Sequence, residues 1–330
     1  MSGFTRLLAS VLATGLLAPI AQAGDRAASA ARKDSAGGKS PAPVYSEQLL
    51  ARQIALDRAG FSPGLIDGKS GPRTRSALCA FQRFAGLTAS GEFDVATDAA
   101  LEVASLPPLT GYTISDEDSR QIGPVPRDWN AKAALSRLKF ASLEELVAER
   151  GHCSRATLAR LNPGRDLSRL RAGDRLTIPN VSAPRRLPAA ATVEVHLDAK
   201  TVTARDAQGR VTAVFHCSVA KDPKKFPKGV TRLASVAIEP DYLFDPKVWP
   251  EVHNVSRKLT IPPGPRNPVG LAWLGTGLPG YGIHGTPNPE LIGKTGSHGC
   301  IRMTNWDVLR LAEIVRVGTP VRFVRSGDLS

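Results

Sequence analysis

His284-Gly285-Thr286 and Ser297-His298-Gly299-Cys300-Ile301-Arg302 form the stretch of this 330-residue sequence that decides its fold. The stretch brings one thiol near two imidazoles, with a Pro- and Gly-rich loop between its halves. A thiol is a strong nucleophile only as thiolate, and a neighbouring imidazole is the usual way to form one near neutral pH. The glycine before the cysteine lacks a Cβ, so backbone N–H groups can approach a reacting carbonyl as an oxyanion hole requires. The stretch therefore predicts acyl transfer by a Cys–His pair.

The spacing of these residues favours a nucleophile over a metal site. His284 and Cys300 can meet if both lie at the ends of strands in one sheet. His298 is two residues from Cys300, which on a strand puts both side chains on the same face. Two His and one Cys also suit zinc, but the single residue between His298 and Cys300 is tighter than the usual ligand spacing, and no second cysteine pair follows. We therefore favour a nucleophile, and expect no metal and no cofactor.

The ordered string H-G-T … S-H-G-C-I-R resembles the signature of the L,D-transpeptidase (YkuD) catalytic domain. The match extends upstream through Pro279–Ile283 and downstream to Asn305–Asp307. The resemblance implies that Cys300 is the nucleophile and that His284 accepts and donates the proton. The cysteine would attack a tetrapeptide stem of peptidoglycan, release the terminal D-amino acid, and pass the acyl group from a thioester to an amine.

The same resemblance assigns the surrounding residues. Ser297, His298 and Gly299 would shape the nucleophile loop, with backbone N–H groups near Gly299 and Cys300 holding the oxyanion. His298 either takes part in the chemistry or only forms hydrogen bonds within the loop. The remaining expected substrate contacts are Tyr281, Gly285, Thr286 and Arg302. Arg302 would orient the loop or meet a substrate carboxylate, and some family members carry Asn at this place.

Three other functions are compatible with the sequence. Water as the acceptor would make the protein an L,D-carboxypeptidase, and the sequence does not separate this from cross-linking or protein attachment. A non-catalytic scaffold that binds the wall is the second alternative, and the intact Cys300, His284 and Gly299 argue against it. A zinc hydrolase is the third, and it would lose activity with a chelator and form no thioester.

Composition and the amino terminus indicate an exported protein. The formal net charge is +13, which favours anionic partners. No basic run interleaved with aromatic residues is present, so we expect no nucleic acid. The charge indicates either a generally basic solvated surface or an anionic cell-wall polymer as the partner. Residues 1–23 read as a secretory signal: Arg6, the apolar run Leu7–Ile20, then Ala21-Gln22-Ala23. We expect a monomer in the periplasm or cell wall of a bacterium, with no transmembrane anchor after cleavage.

The sequence has four cysteines, Cys79, Cys153, Cys217 and Cys300. An even count in an exported protein favours disulfides. Cys300 must stay reduced to act, however, and the other three cannot all pair among themselves. We expect mostly buried thiols, with one bridge among the three as the alternative.

Upstream of the signature, the chain divides into a tether and two small modules. Residues 24–45 are rich in Ala, Gly, Ser, Lys and Pro, as in a flexible linker. Residues 46–103 predict three helices, beginning at Ser46, at Pro72 and near Asp94. Their pattern A-G-F-S-P-G-L-I-D-G-K-S-G-P-R-T resembles the peptidoglycan-binding module of wall enzymes, which implies that they bind the wall.

Residues 111–180 predict a strand, two helices and a strand. A capping box at Ser142–Glu145 opens the first helix, and Ser154 caps the second. This order resembles the LysM carbohydrate-binding module, which implies contact with glycan. Residues 115–141 depart from that pattern as an insertion, so a structural spacer is the alternative.

The pattern of apolar and polar residues changes again at residue 191. Short runs in which apolar and polar residues alternate, separated by turns, predict a mostly β domain over residues 191–325. One helix near Trp306–Val315 is expected to close this domain. Family resemblance makes this the YkuD-type β-sandwich. The expected fold is thus α+β and multidomain: a mostly β catalytic domain preceded by a three-helix module and a LysM-like βααβ segment.

Overall fold

The computed structural model describes residues 44–249, 252–297 and 299–325. The predicted export signal (1–23), most of the predicted linker (24–45) and His298 therefore lie outside the described residues. The α-helices are α1 Glu47–Arg58, α2 Pro72–Phe84, α3 Val95–Ala100, α4 Asp116–Arg120, α5 Trp129–Ala133, α6 Leu143–Arg150, α7 Arg155–Leu161 and α8 Asn305–Ile314. The strands are β1 Leu109–Thr113, β2 Arg175–Pro179, β3 Thr192–His196, β4 Thr201–Arg205, β5 Val211–His216, β6 Gly229–Ile238, β7 Tyr242–Phe244, β8 Leu259–Ile261, β9 Ala272–Thr276, β10 Gly282–His284, β11 Ile301–Arg302 and β12 Pro320–Val324.

The first module contains the three helices that the sequence predicts. Ser46 caps α1 by accepting a hydrogen bond from the backbone N–H of Leu49 at 3.3 Å. Pro72 occupies the first turn of α2, where a missing N–H costs nothing. The helices close on an aromatic core in which Phe61 and Phe81 meet edge to face, with ring centroids 5.5 Å apart.

In the middle segment β1 and β2 pair antiparallel, and four α-helices, α4 to α7, lie between them in sequence. The helices α6 and α7 occupy the positions of the two predicted helices, and α4 and α5 fall within residues 115–141, which depart from the LysM pattern. The predicted capping box is only half formed. Ser142 Oγ accepts from the N–H of Glu145, but the Glu145 carboxylate accepts from Ala141 instead of Ser142. The other oxygen of that carboxylate pairs with Arg266 of the catalytic domain at 2.5 Å, which draws the side chain outward.

The last domain is mostly β, as predicted, and is built on one sheet that curls on itself. The strand order is β11-β10-β9-β6-β12-β3-β4-β5. The long strand β6 joins the two halves, because it pairs with β12 near its start and with β9 beyond a bulge at Leu233–Ser235. The two ends of the sheet meet where Ser218 exchanges two backbone hydrogen bonds with Arg302, at 2.8 and 2.9 Å.

The core of the β domain lies inside this curl, under α8. Val193, Phe215, Ile283 and Ile301 are among its fully buried side chains, and Leu311 covers them from the helix. The burial of both sheet halves in one cluster fixes the register of β10 and β11, because a one-residue slip would turn their core side chains outward.

The modules pack against one another rather than hanging from linkers. The chain after α1 forms backbone hydrogen bonds with β5 through Gly60, Ser62 and Val214, at 2.8 and 3.0 Å. Leu50 and Ile54 of α1 also contribute to the core of the middle segment. Within the described residues, no helix combines the length and apolar character needed to cross a bilayer. All four cysteines are free thiols: Cys153 and Cys217 are buried as predicted, and Cys79 is half-buried.

Candidate active site

Two parallel strands at one end of the sheet bring the halves of the signature together. β10 and β11 pair Ile283 with Ile301 and His284 with Arg302. Ile283 and Ile301 lie in the domain core, so strand alternation turns His284 and Arg302 to the opposite face. Cys300 directly precedes β11. The predicted base therefore ends β10, and the predicted nucleophile lies just before the strand that pairs with it.

The thiol of Cys300 is part-buried at the start of β11. Its Sγ donates to the backbone oxygen of Gly280 at 3.4 Å. Burial raises the pKa of the Cys300 thiol above its ordinary value, while a backbone hydrogen bond at Gly282 and the charge of Arg302 oppose that rise. Burial is the largest of these effects, so the resting group is the neutral thiol.

The imidazole of His284 is buried and held by the backbone. Its Nδ1 lies 2.7 Å from the carbonyl oxygen of Gly285. A carbonyl can only accept, so Nδ1 carries the proton and Nε2 is left with a lone pair. The pKa of His284 is lowered to about 4, mainly by burial and to a lesser extent by the Arg302 charge, while the hydrogen bond with Gly285 opposes the shift. His284 is thus a neutral imidazole whose acceptor nitrogen is fixed by a backbone partner.

These two pKa shifts define the resting state of the pair. Each is caused mainly by burial, which disfavours the charged form of both groups. The pair is therefore thiol and imidazole, rather than a preformed thiolate and imidazolium.

The turn before Cys300 is organised by Ser297. Its hydroxyl donates to the carbonyl oxygen of Cys300 at 2.5 Å and accepts from the N–H of Gly299 at 3.1 Å. A Cβ added at Gly299 would meet the Tyr281 ring at 3.5 Å, which is an ordinary contact. The described neighbours of Gly299 therefore do not by themselves require glycine at this position. His298 lies outside the described residues.

Arg302 is turned toward the loop that precedes the thiol. Its Nη2 donates to the carbonyl oxygen of Gly296. The side chain is half-buried, and its Nε has no hydrogen-bond partner among the described residues. Of the two roles that the resemblance implies for Arg302, this contact matches orientation of the loop.

The other three expected substrate contacts make bonds within the protein. Tyr281 donates its hydroxyl to the carbonyl oxygen of Lys225 at 3.0 Å. Thr286 is buried, and its hydroxyl accepts from the N–H of Asn288 at 3.3 Å. Gly285 donates its N–H to Ala272 of β9. All three therefore have partners within the protein, and Gly285 and Thr286 directly follow His284 in the chain.

Two aromatic residues near the site were not predicted from the sequence. Trp273 on β9 pairs in register with His284, and their rings stack with centroids 5.7 Å apart. Tyr242 opens the β7–β8 hairpin, and its hydroxyl accepts from Trp249 Nε1 at 3.1 Å. The pKa of Tyr242 is raised to about 12, mainly by burial, while the hydrogen bond from Trp249 opposes the rise. Neither residue belongs to a motif, so only the register of the folded sheet identifies them.

Metal ligation was the main rival for these residue types. Among the described residues, no three His, Cys, Asp or Glu side chains cluster as ligands would. His298 was one of the candidate ligands, and it lies outside that part of the chain.

Comparison with known proteins assigns the family. The model of the L,D-transpeptidase catalytic domain (YkuD) matches residues 190–323, and that of the putative peptidoglycan binding domain matches residues 46–101. A putative L,D-transpeptidase, YkuD, of Bacillus licheniformis is 33% identical over 187 residues, which cover 57% of this chain and 96% of that protein. Its namesake in Bacillus subtilis is 34% identical over 172 residues, covering 52% and 87%. The chain belongs to the L,D-transpeptidase family, whose members are transferases.

Solved structures of L,D-transpeptidases are also similar to this chain. The enzyme from Xylanimonas cellulosilytica has 18% identity and a TM-score of 0.35, covering 87% of this chain and 100% of that one. L,D-transpeptidase 1 of Mycobacterium tuberculosis has 19% identity and a TM-score of 0.29, covering 40% and 60%.

Proposed function

We propose that this protein is a peptidoglycan L,D-transpeptidase that acts through a Cys300 thioester. The observation that carries the proposal is that β10, which ends at His284, pairs with β11, which Cys300 directly precedes. The Gly285 carbonyl leaves the Nε2 lone pair of His284 free. A nucleophile, a base and a group that orients the base are the parts that nucleophilic acyl transfer requires.

The reaction is proposed to begin with formation of the thioester. His284 Nε2 takes the Cys300 proton as sulfur attacks the carbonyl carbon between the L-centre and the terminal D-residue of a tetrapeptide stem. The C–N bond then breaks, and the leaving amine takes the proton from His284. The products of this half-reaction are a free D-amino acid and an acyl thioester on Cys300, with His284 neutral again.

The second half-reaction transfers the acyl group. An acceptor amine attacks the thioester carbon and gives a proton to His284, the C–S bond breaks, and the proton returns to sulfur. The oxyanion in both steps is assigned to the Cys300 N–H, since the Gly299 N–H is already donated to Ser297. His298 would support the turn or the chemistry, as the family resemblance implies.

The remaining parts of the chain are proposed to bring this site to the wall. Residues 46–103 would bind peptidoglycan, residues 111–180 would contact its glycan, and residues 191–325 would form the catalytic domain. Residues 1–23 would export the chain to the periplasm or cell wall as a monomer. The net charge of +13 suits an anionic polymer as the partner.

The test is to incubate the purified protein with a defined disaccharide-tetrapeptide and to identify the products by mass spectrometry. A cross-linked dimer that has lost one D-amino acid supports the proposal, and a tripeptide alone indicates water as the acceptor. A Cys79→Ala variant, which removes a thiol elsewhere, should behave as wild type. A Cys300→Ala variant that still cross-links would overturn the nucleophile, and activity lost with a chelator without any thioester would favour a zinc hydrolase.

A further inference from the structure

The insertion that departs from the LysM pattern forms an arm. At its base, Ile122 and Phe140 form a β-bridge, with backbone hydrogen bonds from Gly123 to Phe140 and from Phe140 to Gln121, both 3.0 Å. The residues between, 124–138, project from this closed base. We call them the arm, and they include the short helix α5.

The arm packs on the catalytic domain rather than on the middle segment. Its partner is formed by residues 239–249 and 252–266, which contain the paired strands β7 and β8 and which we call the flap. Together they bury an apolar cluster that is separate from the other cores. The cluster comprises Trp129, Ala133, Leu135, Leu138, Tyr242, Phe244, Trp249, Val252, Val255, Leu259 and Ile261.

The contact between arm and flap is specific in geometry. The rings of Trp129 and Phe244 stack with centroids 4.1 Å apart and an interplanar angle of 20°. Leu138 donates its N–H to Pro263 at 2.8 Å and accepts from Arg266 at 3.2 Å through the backbone. A Cβ at Gly264 would lie 2.2 Å from the Leu138 oxygen, so this approach requires glycine. The arm therefore contacts the flap at two places, through Trp129 and through Leu138.

The flap in turn reaches the face that carries the thiol. β6 pairs Ala237 with Trp273, and Trp273 pairs with His284 on the next strand. The flap leaves the sheet directly after β6, at the edge where these residues lie. Trp129 also contacts Tyr242 and Trp249, with ring centroids 6.2 and 6.0 Å away. Tyr242 and Trp249 thus contact the arm, and Tyr242 follows, by four residues, the end of β6 that pairs toward His284.

We propose that Trp129 is a positioning residue for acyl transfer, which holds the Tyr242–Trp249 side of the flap as a fixed wall for the donor stem peptide. This inference rests on the proposed function. Under this proposal the insertion positions one side of the active site and is not only a spacer. Trp129 does not touch the reacting atoms. By holding the flap in place, it would keep the donor peptide in a geometry close to that of attack by the thiol.

The test compares three variants of the full chain. Trp129→Ala removes the stack, Trp129→Phe keeps an aromatic ring against Phe244, and Val125→Ala changes an exposed arm residue. We expect Trp129→Ala to lower kcat/KM for the tetrapeptide donor about tenfold, mainly through KM, because a displaced wall misplaces the donor. Trp129→Phe should restore most of that loss, and Val125→Ala should match wild type. A folded Trp129→Ala variant with unchanged kcat/KM would overturn the proposal.

A second measurement keeps the inference separate from the proposed function. The rate of Cys300 alkylation by iodoacetamide should rise in Trp129→Ala, because a released flap exposes the thiol, and it should not rise in the other two variants. If wild type does not turn over the donor, the proposed function fails, and this rate still tests the arm. If Trp129→Ala does not fold, Asn254→Ala removes the exposed hydrogen bond from Asn254 to Asp128 of the arm and should show the same changes in smaller measure. Equal alkylation rates and equal kcat/KM in Asn254→Ala and wild type would then overturn it.

Discussion

The indole of Trp273 stacks on the imidazole of His284, with ring centroids 5.7 Å apart and an interplanar angle of 24°. The two residues are register partners on β9 and β10, so the stack is built by the sheet itself. Trp273 covers one face of the imidazole and excludes water from it. This cover contributes to the burial that lowers the pKa of His284 to about 4.

Gly282 makes this stack possible, and Gly282→Ala should disturb it. A Cβ at this position would lie 2.5 Å from the six-membered ring of Trp273, so the indole has to move. We expect the pKa of His284 to rise toward 6.5 and the rate of acyl transfer to fall about tenfold, because a loosened base loses its fixed geometry. NMR titration of the imidazole and steady-state kinetics measure the two effects. Gly71→Ala, where a Cβ meets open space, is the matched control, and equal kinetics in the two variants would contradict the role of the stack.

The neutral resting pair predicts an unusual pH profile for thiol reactivity. Burial raises the pKa of Cys300 and lowers that of His284. Alkylation of Cys300 should therefore keep rising with pH beyond the ordinary range of a free cysteine, without a plateau near neutrality. The measurement is the rate of iodoacetamide labelling of the Cys300 peptide between pH 5 and 11, resolved by mass spectrometry from the half-buried Cys79. A plateau below pH 7 would indicate a preformed ion pair instead.

The sequence predicted the local elements and the family, because these depend on short-range signals. Ser46 at a helix start and Pro72 in a first turn are read directly from neighbouring residues. It could not predict what depends on contacts between distant segments. Trp273 belongs to the site through strand register, and Trp129 contacts Phe244 across more than a hundred residues of chain. The half-formed capping box at Glu145 has the same origin, since Arg266 of another domain competes for that carboxylate.

Asp307→Asn should reduce the loss of stability at alkaline pH. Burial raises the pKa of Asp307 to about 7, and the nearby Asp57 carboxylate adds to the rise. The folded state thus binds a proton that the unfolded state releases, so this group's contribution is greatest below pH 4 and is lost as pH rises through 7. Asparagine keeps an acceptor for Ser62, which donates to this carboxylate at 3.0 Å, and carries no charge. We expect the variant to gain about 2 kcal/mol over wild type between pH 5 and pH 8.

Urea unfolding at the two pH values measures the effect of Asp307→Asn. Glu313→Gln, an exposed change on the same helix, is the control and should leave the pH dependence as in wild type. An Asp307→Asn variant whose stability falls with pH as steeply as that of wild type would contradict a protonated Asp307 in the fold.

Arg73 of the helical module should matter for the donor site, whereas Arg75 on the same helix should not. Arg73 Nη2 donates to the carbonyl oxygen of Ile292, within the loop that joins His284 to Cys300. Arg75 is exposed and pairs with Glu92. Arg73→Met removes an anchor of that loop, so we expect KM for the tetrapeptide donor to rise about fivefold with a smaller change in kcat.

The matched variant Arg75→Met removes the same charge from α2 and should keep wild-type constants, because an exposed ion pair contributes little. The loop keeps other hydrogen bonds in both variants, among them those from Gly293 N–H to Ser218 Oγ at 2.8 Å and from Lys200 Nζ to the Gly293 carbonyl oxygen at 3.2 Å. These hydrogen bonds are the reason that we expect a weakened site rather than a lost one. Equal KM values in the two variants would mean that the helical module docks beside the loop without positioning it. A rise in KM confined to Arg73→Met would make that module part of the catalytic apparatus, so that its removal would weaken donor binding even with soluble substrates.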